Sequence, residues 1–493
     1  MATTPSPRSS SRTACTGAGA GAASSPTSSA SPPWCRSSLW APCTRAGWPR
    51  SSTAPTSRCS DDAVNAFTVV RPDDALAAAA AVDRGERTGP LAGVPISIKD
   101  HVWLAGWPAT NGSRALADFV PEEDCVCVAR LVAAGAVVVG KTNNPEFCYR
   151  GTTFNDVYGV TRNPRDLTRT AGGSSGGAAA SVAAGMVPLG VGTDGGGSIR
   201  IPSAFCGVYG LKPTYGLVPK VPGFRGWPTL SVTGPMGASV RDLALAVSVM
   251  AGPAPLDPLA QPSPNTGYLD AMRAPDLDGL RIAASEDLGF AAVDPDVRAS
   301  FRAAVEHIRA HDVPVHDAHP LPEDPCPLWD AIALPEGYAS EGPLLEQSPD
   351  LVGADARSII EAGAAASARD YLDAQDRRGR LTQTWAWFFE RYDVLLTPTM
   401  PVTAFSADRI GPETLDGRPV PESFDAWCAL ALPANLGGLP AVSVPIGPGR
   451  DGLPVGLQLI GPRWSDARLL GAAAAVDAIL RAALSDRPGA DLR

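Results

Sequence analysis

The sequence predicts an α/β fold built on a mixed β-sheet, and three observations support this. Short apolar runs rich in Val and Ile alternate along the chain with Ala-rich or amphipathic segments of helical period. Near the C-terminal end, the apolar runs 439–447 and 452–461 are joined by the turn sequence Gly-Pro-Gly-Arg-Asp, which is typical of a β-hairpin. Hydrophobic residues make up 44% of the chain and charged residues 19%, a balance that is typical of a globular protein with a large core.

Each element follows from a local pattern. Ala-rich or amphipathic runs with Asp near their start predict helices, and short β-branched runs bounded by Gly or Pro predict strands. The chain shows no internal repeat and no linker after residue 60, so we expect 61–493 to form one large domain. The predicted helices cover 73–87, the first part of 124–142, 241–250 and 294–310; the predicted strands cover 93–99, 136–140, 392–396, 439–447 and 452–461.

Residues 1–60 differ from the rest of the chain in composition. They contain no Asp, Glu, Lys, Val, Ile or Phe, and Ser, Thr, Pro, Arg and Ala dominate. A segment with so few aliphatic side chains cannot bury enough apolar surface to offset the entropy lost on ordering. A transit peptide, a disordered tail and GC-rich DNA translated out of frame are the three interpretations. The cysteines and tryptophans of this segment favour the last.

The composition also excludes several classes of binding partner. The formal net charge of -10 argues against nucleic acid or an anionic membrane, both of which require a basic surface. No apolar run reaches the roughly 18 residues that a membrane-spanning helix needs. The ten cysteines lack the spacings of a metal site or a disulfide framework. We therefore expect reduced, buried thiols, no metal ion and a cytoplasmic location.

The segment 170–214 contains two glycine clusters, and three of its serines, Ser174, Ser175 and Ser198, lie among these glycines. Between the clusters, the mostly Ala run 178–186 predicts a helix that is buried on every side. The sequence Thr-Asp-Gly-Gly-Gly before Ser198 supplies successive backbone N–H groups, which suit the binding of an oxyanion. Two glycine loops at the ends of one buried helix therefore predict a site around a reacting group.

The rarity of lysine in this sequence indicates a candidate general base. The chain has four lysines against 37 arginines, and arginine cannot lose its proton in a protein, whereas a desolvated lysine can. Lys99 ends an apolar strand, which makes it the best candidate for a neutral amine that accepts a proton. The alternative is a structural salt bridge between Lys99 and an acid such as the neighbouring Asp100.

Several of these runs together resemble the amidase signature family of serine hydrolases. They are Gly-Val-Pro-Ile-Ser-Ile-Lys-Asp at 93–100, Gly-Gly-Ser-Ser-Gly-Gly at 172–177, Thr-Asp-Gly-Gly-Gly-Ser at 193–198, the run 199–214, Gly-Pro-Met at 234–236, and 452–461. The resemblance covers roughly 61–480. It implies a large mixed β-sheet core flanked by helices on both faces, a small-molecule amide as substrate, and neither a metal nor an organic cofactor.

The resemblance also implies roles for individual residues. Ser198 is expected to be the nucleophile, Ser174 the bridging serine on a cis peptide, and Lys99 the base. The implied enzyme cleaves the C–N bond of a carboxylic amide through an acyl-enzyme on Ser198. The expected oxyanion hole is formed by the backbone of Gly195, Gly196, Gly197 and Ser198, and the expected supporting residues are Gly173, Ser175, Asp194 and Arg200.

Two alternatives stay open. One is the glutaminase (A-type) subunit of a tRNA-dependent amidotransferase, which would act with partner chains, although the stretch 215–236 is more similar to the free-standing amidases. The other is a Ser-His-Asp esterase. Against it, His307, His311, His316 and His319 lie together in a polar region, so that only His101 is near Lys99 in sequence. A homodimer is compatible with the sequence, which indicates neither the substrate nor the oligomeric state.

The region 219–430 is expected to line the access to the site. It is rich in aromatic residues, which the sequence assigns equally well to an apolar pocket or to the core. They are Trp227, Trp329, Trp385, Trp387, Phe388, Phe389 and Trp427.

Overall fold

The computed structural model describes residues 61–320 and 324–485. The interpretations of residues 1–60 given above lie outside the described residues. Within the described part, the α-helices are α1 (Asp61–Val64), α2 (Pro72–Asp83), α3 (Val126–Ala133), α4 (Gly176–Ala183), α5 (Arg200–Cys206), α6 (Val240–Met250), α7 (Pro295–Arg309), α8 (Cys326–Gln347), α9 (Ala354–Ala364), α10 (Ala368–Arg391), α11 (Leu432–Leu436) and α12 (Asp466–Ser485).

The strands are distributed along the same ranges. They are β1 (Phe67–Val70), β2 (Pro95–Lys99), β3 (Val137–Thr142), β4 (Phe154–Asn155), β5 (Gly159–Val160), β6 (Arg162–Asn163), β7 (Asp166–Thr170), β8 (Leu189–Asp194), β9 (Tyr209–Lys212), β10 (Val232–Gly237), β11 (Ile282–Ala284), β12 (Val315–Asp317), β13 (Val394–Pro398), β14 (Thr414–Leu415), β15 (Arg418–Pro419), β16 (Ala441–Pro448) and β17 (Pro454–Ile460).

An 11-stranded sheet organises the fold, in the order β1-β3-β2-β8-β10-β9-β16-β17-β13-β11-β12. Strand β2 runs parallel to both of its neighbours, β3 and β8, whereas β8 and β10 are antiparallel. The predicted hairpin is present as the antiparallel pair β16 and β17. The expectation of an α/β fold with a mixed sheet is confirmed.

Helices pack on both faces of this sheet, and β8 shows why. Leu189 and Val191 point into the larger core with residues of α3, α6, α7 and α12. The intervening Gly190 faces α4, where an added Cβ would lie 3.3 Å from the Cβ of Ala178. The missing side chain therefore lets α4 approach the sheet closely. Helix α4 is buried from Gly176 to Val182, as its Ala-rich sequence predicts.

The other predicted elements are confirmed as well, with ends that differ by a few residues. The helix expected at 73–87 already ends at Asp83, and the helix expected at 294–310 spans Pro295–Arg309. Further from the sheet, α8, α9 and α10 share a smaller apolar cluster that includes Trp329, Ile332 and Ile360. Among the described residues, no helix combines the length and the apolar character needed to cross a membrane.

Candidate active site

The site lies where two parallel strands end side by side. Strand β2 ends at Lys99 and β8 ends at Asp194, and the two pair in register from Ile96 opposite Leu189. Because the carboxyl ends of parallel strands meet at one edge of a sheet, the residues that follow them are brought together. The loop before α4 supplies Ser174 and Ser175 to the same place, since Ser175 N–H donates to the Ser198 carbonyl at 3.1 Å.

Lys99 is completely buried and is bonded to two hydroxyl groups. Its Nζ donates to Ser174 Oγ at 2.7 Å and to Thr193 Oγ1 at 2.8 Å. Burial lowers the pKa of Lys99, because the charged form loses its hydration, while the thiol of Cys148 acts in the opposite direction. No salt bridge joins Lys99 to an acid among the described residues, so the alternative of a Lys99–Asp100 pair is not what the structure has.

The loop that carries Ser174 is shaped by tight backbone contacts. The Gly173–Ser174 peptide is cis, and a Cβ on Gly173 would lie 2.7 Å from the backbone of Thr152. Ser175 Oγ lies 3.2 Å from both the N and the O of Thr193, so this hydroxyl holds the end of β8. Ser174 has no exposed surface, whereas Ser198 keeps 6%. Ser198 is therefore the more exposed of these two serines.

The structure contradicts one of the four backbone donors expected at the glycine loop 195–197. The Gly197 N–H donates to Asp194 Oδ1 at 2.7 Å, and an amide N–H makes one strong hydrogen bond, so Gly197 is not available to an oxyanion. The N–H groups of Gly195, Gly196 and Ser198 have no acceptor among the described residues. Of the four expected donors, three N–H groups therefore remain without an acceptor among the described residues.

Asp194 and Arg200 form a buried ion pair beside this loop. Arg200 Nε and Nη2 donate to the two carboxylate oxygens, each at 2.9 Å, and neither side chain has exposed surface. Burial alone would raise the pKa of Asp194, but the Arg200 guanidinium holds it well below its usual range. The bidentate geometry therefore keeps both groups charged and orders the turn that leads to Ser198.

Comparison with known proteins decides the family. An amidase family model matches residues 56–470. The chain belongs to the amidase signature family. The expected enzyme class, an amidase, is therefore confirmed.

Relatives within the family differ in activity. The chain is 39% identical over 415 residues to an acylamidase of Rhodococcus erythropolis, covering 83% of this chain and 84% of the relative. It is 39% identical over 435 residues to the A-type subunit of the glutamyl-tRNA(Gln) amidotransferase of Chloroflexus aggregans, covering 83% and 87%. A bacterial aryl acylamidase of the amidase signature enzymes matches the fold with a TM-score of 0.78 at 30% identity, covering 87% of this chain and 92% of that one.

Three further buried residues contact the candidate site residues and were not predicted from the sequence. Thr193 is the second partner of Lys99. Asn435 donates to the Asp194 carboxylate at 2.9 Å, and Gln458 accepts from Arg200 Nη1 at 2.7 Å. Gln458 is a lone polar residue in the apolar strand β17, and that pattern indicates a buried hydrogen-bonding role. Asn435 has no comparable local signal.

Two of the expected aromatic residues lie beside the glycine loop, and the others lie elsewhere. Trp227 and Trp329 pack against the glycine loop: Cβ atoms on Gly195 and Gly196 would lie 2.5 Å and 2.9 Å from their rings. Of the remaining expected residues, Trp387 is 57% exposed. The others lie in apolar clusters away from the loop, namely Trp385, Phe388 and Phe389 in the main core and Trp427 in a separate cluster.

The histidines that the structure describes do not form a hydrolytic triad around Ser198. His307 lies in α7, and His316 lies in β12 at the far edge of the sheet from β2 and β8. His101 is the histidine near Lys99, and its Nδ1 lies 2.9 Å from Asn111 Oδ1. An amide oxygen in this position is not the carboxylate that a Ser-His-Asp triad requires.

Proposed function

We propose that this amidase cleaves the C–N bond of a carboxylic amide through an acyl-enzyme on Ser198, with Ser174 and Lys99 as the proton relay. The observation that carries the proposal is the environment of Lys99. The amine is fully buried, and it donates hydrogen bonds to two hydroxyl groups. A hydroxyl can donate as well as accept, so that a neutral amine is accommodated there.

In the proposed reaction, the neutral Lys99 amine takes a proton from Ser174 Oγ, which takes one from Ser198 Oγ. The Ser198 oxygen attacks the amide carbonyl, and the resulting oxyanion accepts hydrogen bonds from the N–H groups of Gly195, Gly196 and Ser198. The proton returns through Ser174 to the leaving nitrogen, which departs as the amine. Water then attacks the acyl-enzyme by the same relay and releases the carboxylic acid.

The supporting residues act on the geometry of this relay. Ser175 connects β8 to the serine loop, and the pair of Asp194 and Arg200 holds the turn before Ser198. Gly173 allows the close approach of the serine loop to Thr152. The proposed substrate is a small-molecule amide. The homodimer, the cytoplasmic location and the single domain 61–493 stay predictions from the sequence.

Intact-mass labelling with a fluorophosphonate tests the nucleophile and the base. The phosphorus is attacked by the activated serine and fluoride leaves, so we expect one adduct on the parent protein. The adduct should be absent from Ser198→Ala and should form at least about 100-fold more slowly on Lys99→Ala. A folded parent that forms no adduct would contradict the proposal, and so would an adduct that persists in Ser198→Ala.

A glutaminase subunit is the second candidate function. It is supported by the identity to the amidotransferase chain of Chloroflexus aggregans, which equals the identity to the acylamidase. Assay of the purified chain on simple acyl and aryl amides and on glutamine separates the two. Turnover of the amides without partner chains supports a free-standing amidase, whereas ammonia release that is confined to glutamine supports the glutaminase.

A further inference from the structure

Hydrogen bonds to carbonyl oxygens orient the peptide groups of the glycine loop. In a trans peptide, the C=O of one residue and the N–H of the next point in opposite directions. A hydrogen bond to the carbonyl of Gly195 therefore fixes the direction of the Gly196 N–H. The carbonyls of Asp194 and Gly197 fix the N–H groups of Gly195 and Ser198 in the same way.

Two of these three carbonyls accept hydrogen bonds from residues next to the ion pair of Asp194 and Arg200 or in helix α5. The Asp194 carbonyl accepts from Asn435 Nδ2 at 3.0 Å, within the network of Arg200. The Gly197 carbonyl accepts from the Ile201 N–H at 2.7 Å, which belongs to the first turn of α5. The central peptide, between Gly195 and Gly196, needs a separate partner.

That partner is a side chain from a distant helix. Trp329 of α8 donates its indole Nε1–H to the Gly195 carbonyl at 3.0 Å, across 134 residues of sequence. Trp329 is 4% exposed, and Gly196 lies so close to its ring that an added Cβ would be 2.9 Å from Cζ2. The indole is thus fitted against this one peptide group, and glycine at position 196 is what permits the contact.

We propose that Trp329 is a positioning residue of the oxyanion hole, which aims the Gly196 N–H at the developing negative charge by holding the Gly195 carbonyl. The inference rests on the proposed function, since it requires Gly196 to be an oxyanion donor. Donors fixed before the reaction cost no reorganisation when charge develops, so the effect is on the transition state and not on substrate binding.

The chain offers a matched control in Trp227. It is also buried, at 9% exposure, its ring also packs against Gly195, and its centroid lies 5.0 Å from that of Trp329. Its Nε1, however, has no hydrogen-bond partner among the described residues. The change of Trp to Phe at either position removes the same atoms from the same neighbourhood, but only Trp329→Phe removes a hydrogen bond to the glycine loop.

The experiment compares Trp329→Phe and Trp227→Phe in kcat and KM on an amide that the parent hydrolyses, and in affinity for a trifluoromethyl ketone, whose hydrolase adduct carries an oxyanion. For Trp329→Phe, we expect kcat to fall about 10- to 100-fold with KM changed less than about threefold. Its affinity for the ketone should fall in proportion to kcat. For Trp227→Phe, kcat and the affinity for the ketone should stay within about threefold of the parent.

A variant with β-(3-benzothienyl)alanine at position 329 keeps the ring shape and lacks the N–H, so it separates the hydrogen bond from packing if Trp329→Phe folds poorly. The same fall in kcat is expected for it. Equal kcat values for the parent and this variant, or equal losses in the two Phe variants, would overturn the inference while leaving the proposed function intact. A parent that hydrolyses no amide and forms no fluorophosphonate adduct would instead refute the proposed function, and this inference with it.

Discussion

Two buried basic side chains of the candidate site, Lys99 and Arg200, differ in their hydrogen-bond partners. Lys99 and Arg200 both have no exposed surface. Arg200 is bound to a carboxylate through two hydrogen bonds and reaches Ala431 and Gln458 with a third nitrogen. Within the part of the chain that the structure describes, Lys99 has no carboxylate partner and donates to the hydroxyls of two residues.

We infer from this difference that Lys99 takes part in the proposed reaction and that Arg200 stabilises the structure around it. A guanidinium stays protonated and matches a carboxylate in geometry, so the Arg200 side of the site is a fixed, fully paired charge. Burial lowers the pKa of the Lys99 amine, which can therefore become neutral, as a general base requires. Changes on the Lys99 side should therefore affect the rate, and changes on the Arg200 side should affect the stability.

The largest effect is expected for Lys99→Met, which keeps the length of the side chain and removes the base. We expect kcat to fall at least about 1000-fold, because neither serine then has a proton acceptor. Folding should be retained, since a buried amine outside any salt bridge with an acid is replaced by an apolar group of similar length. Lys141→Met is the matched control: Lys141 is equally buried, but it donates to the backbone carbonyls of Asp100 and Pro108.

Steady-state kinetics and urea unfolding on the same preparations check this prediction. Retention of more than about a tenth of the parent kcat by Lys99→Met would contradict the proposed role of Lys99. A loss in Lys141→Met as large as that in Lys99→Met would show that burial, rather than the pair of hydroxyl partners, is what matters at these lysines.

Arg200→Met should act mainly on stability. It leaves Asp194 buried without its cation, which typically costs about 3–5 kcal/mol in the free energy of unfolding. The midpoint of urea unfolding should fall accordingly, and Arg200→Lys should lose less because it restores a positive charge without the two parallel hydrogen bonds. A midpoint unchanged in Arg200→Met would contradict the assignment of this pair to the support of the site.

The smallest effect is expected for Thr193→Val. A neutral amine has two N–H groups and one lone pair, so a hydroxyl that accepts one N–H turns the lone pair toward Ser174. We expect Thr193→Val to lower kcat about tenfold, and Thr193→Ser to restore it. Loss of this acceptor disfavours the ammonium more than the amine, so that the pKa of Lys99 is lowered further.

The pH–rate profile distinguishes this role from a packing defect. In the parent, the rate should fall as the pH falls through the lowered pKa of Lys99, because the protonated amine cannot accept a proton. The acid limb should move to lower pH in Thr193→Val and return in Thr193→Ser. A lower kcat with an unmoved acid limb would contradict the role of Thr193 in aiming the amine.

Local sequence patterns were sufficient to predict most of the secondary-structure elements and the candidate site residues. Short β-branched runs and the Gly-Pro-Gly-Arg-Asp turn predicted β2, β3 and the β16–β17 hairpin, because these strands and their turns are specified by consecutive residues. Burial of a lysine does not by itself select Lys99 as the candidate base. Lys141 and Lys212 are as fully buried as Lys99. The contact with Ser174 Oγ, and not burial, distinguishes Lys99 among them.

The sequence was also insufficient to predict which N–H groups of the glycine loop 195–197 are free. The run of glycines before Ser198 predicted backbone donors, but the Gly197 N–H is taken by Asp194, which only the folded turn reveals. Asn435 and Trp329 come from segments more than 130 residues away and carry no local sign of their contacts with the loop. Their roles depend on where α8 and α11 pack, which is not encoded near either residue.

The sequence by itself therefore determined the α/β architecture, the family and the candidate triad of Lys99, Ser174 and Ser198, because hydrophobic period and short motifs are properties of neighbouring residues. The tertiary structure alone decided which hydroxyls surround the amine, which N–H groups stay free, and which indole holds the loop. These are contacts between segments far apart in the chain, and they exist only after the sheet and its covering helices have packed.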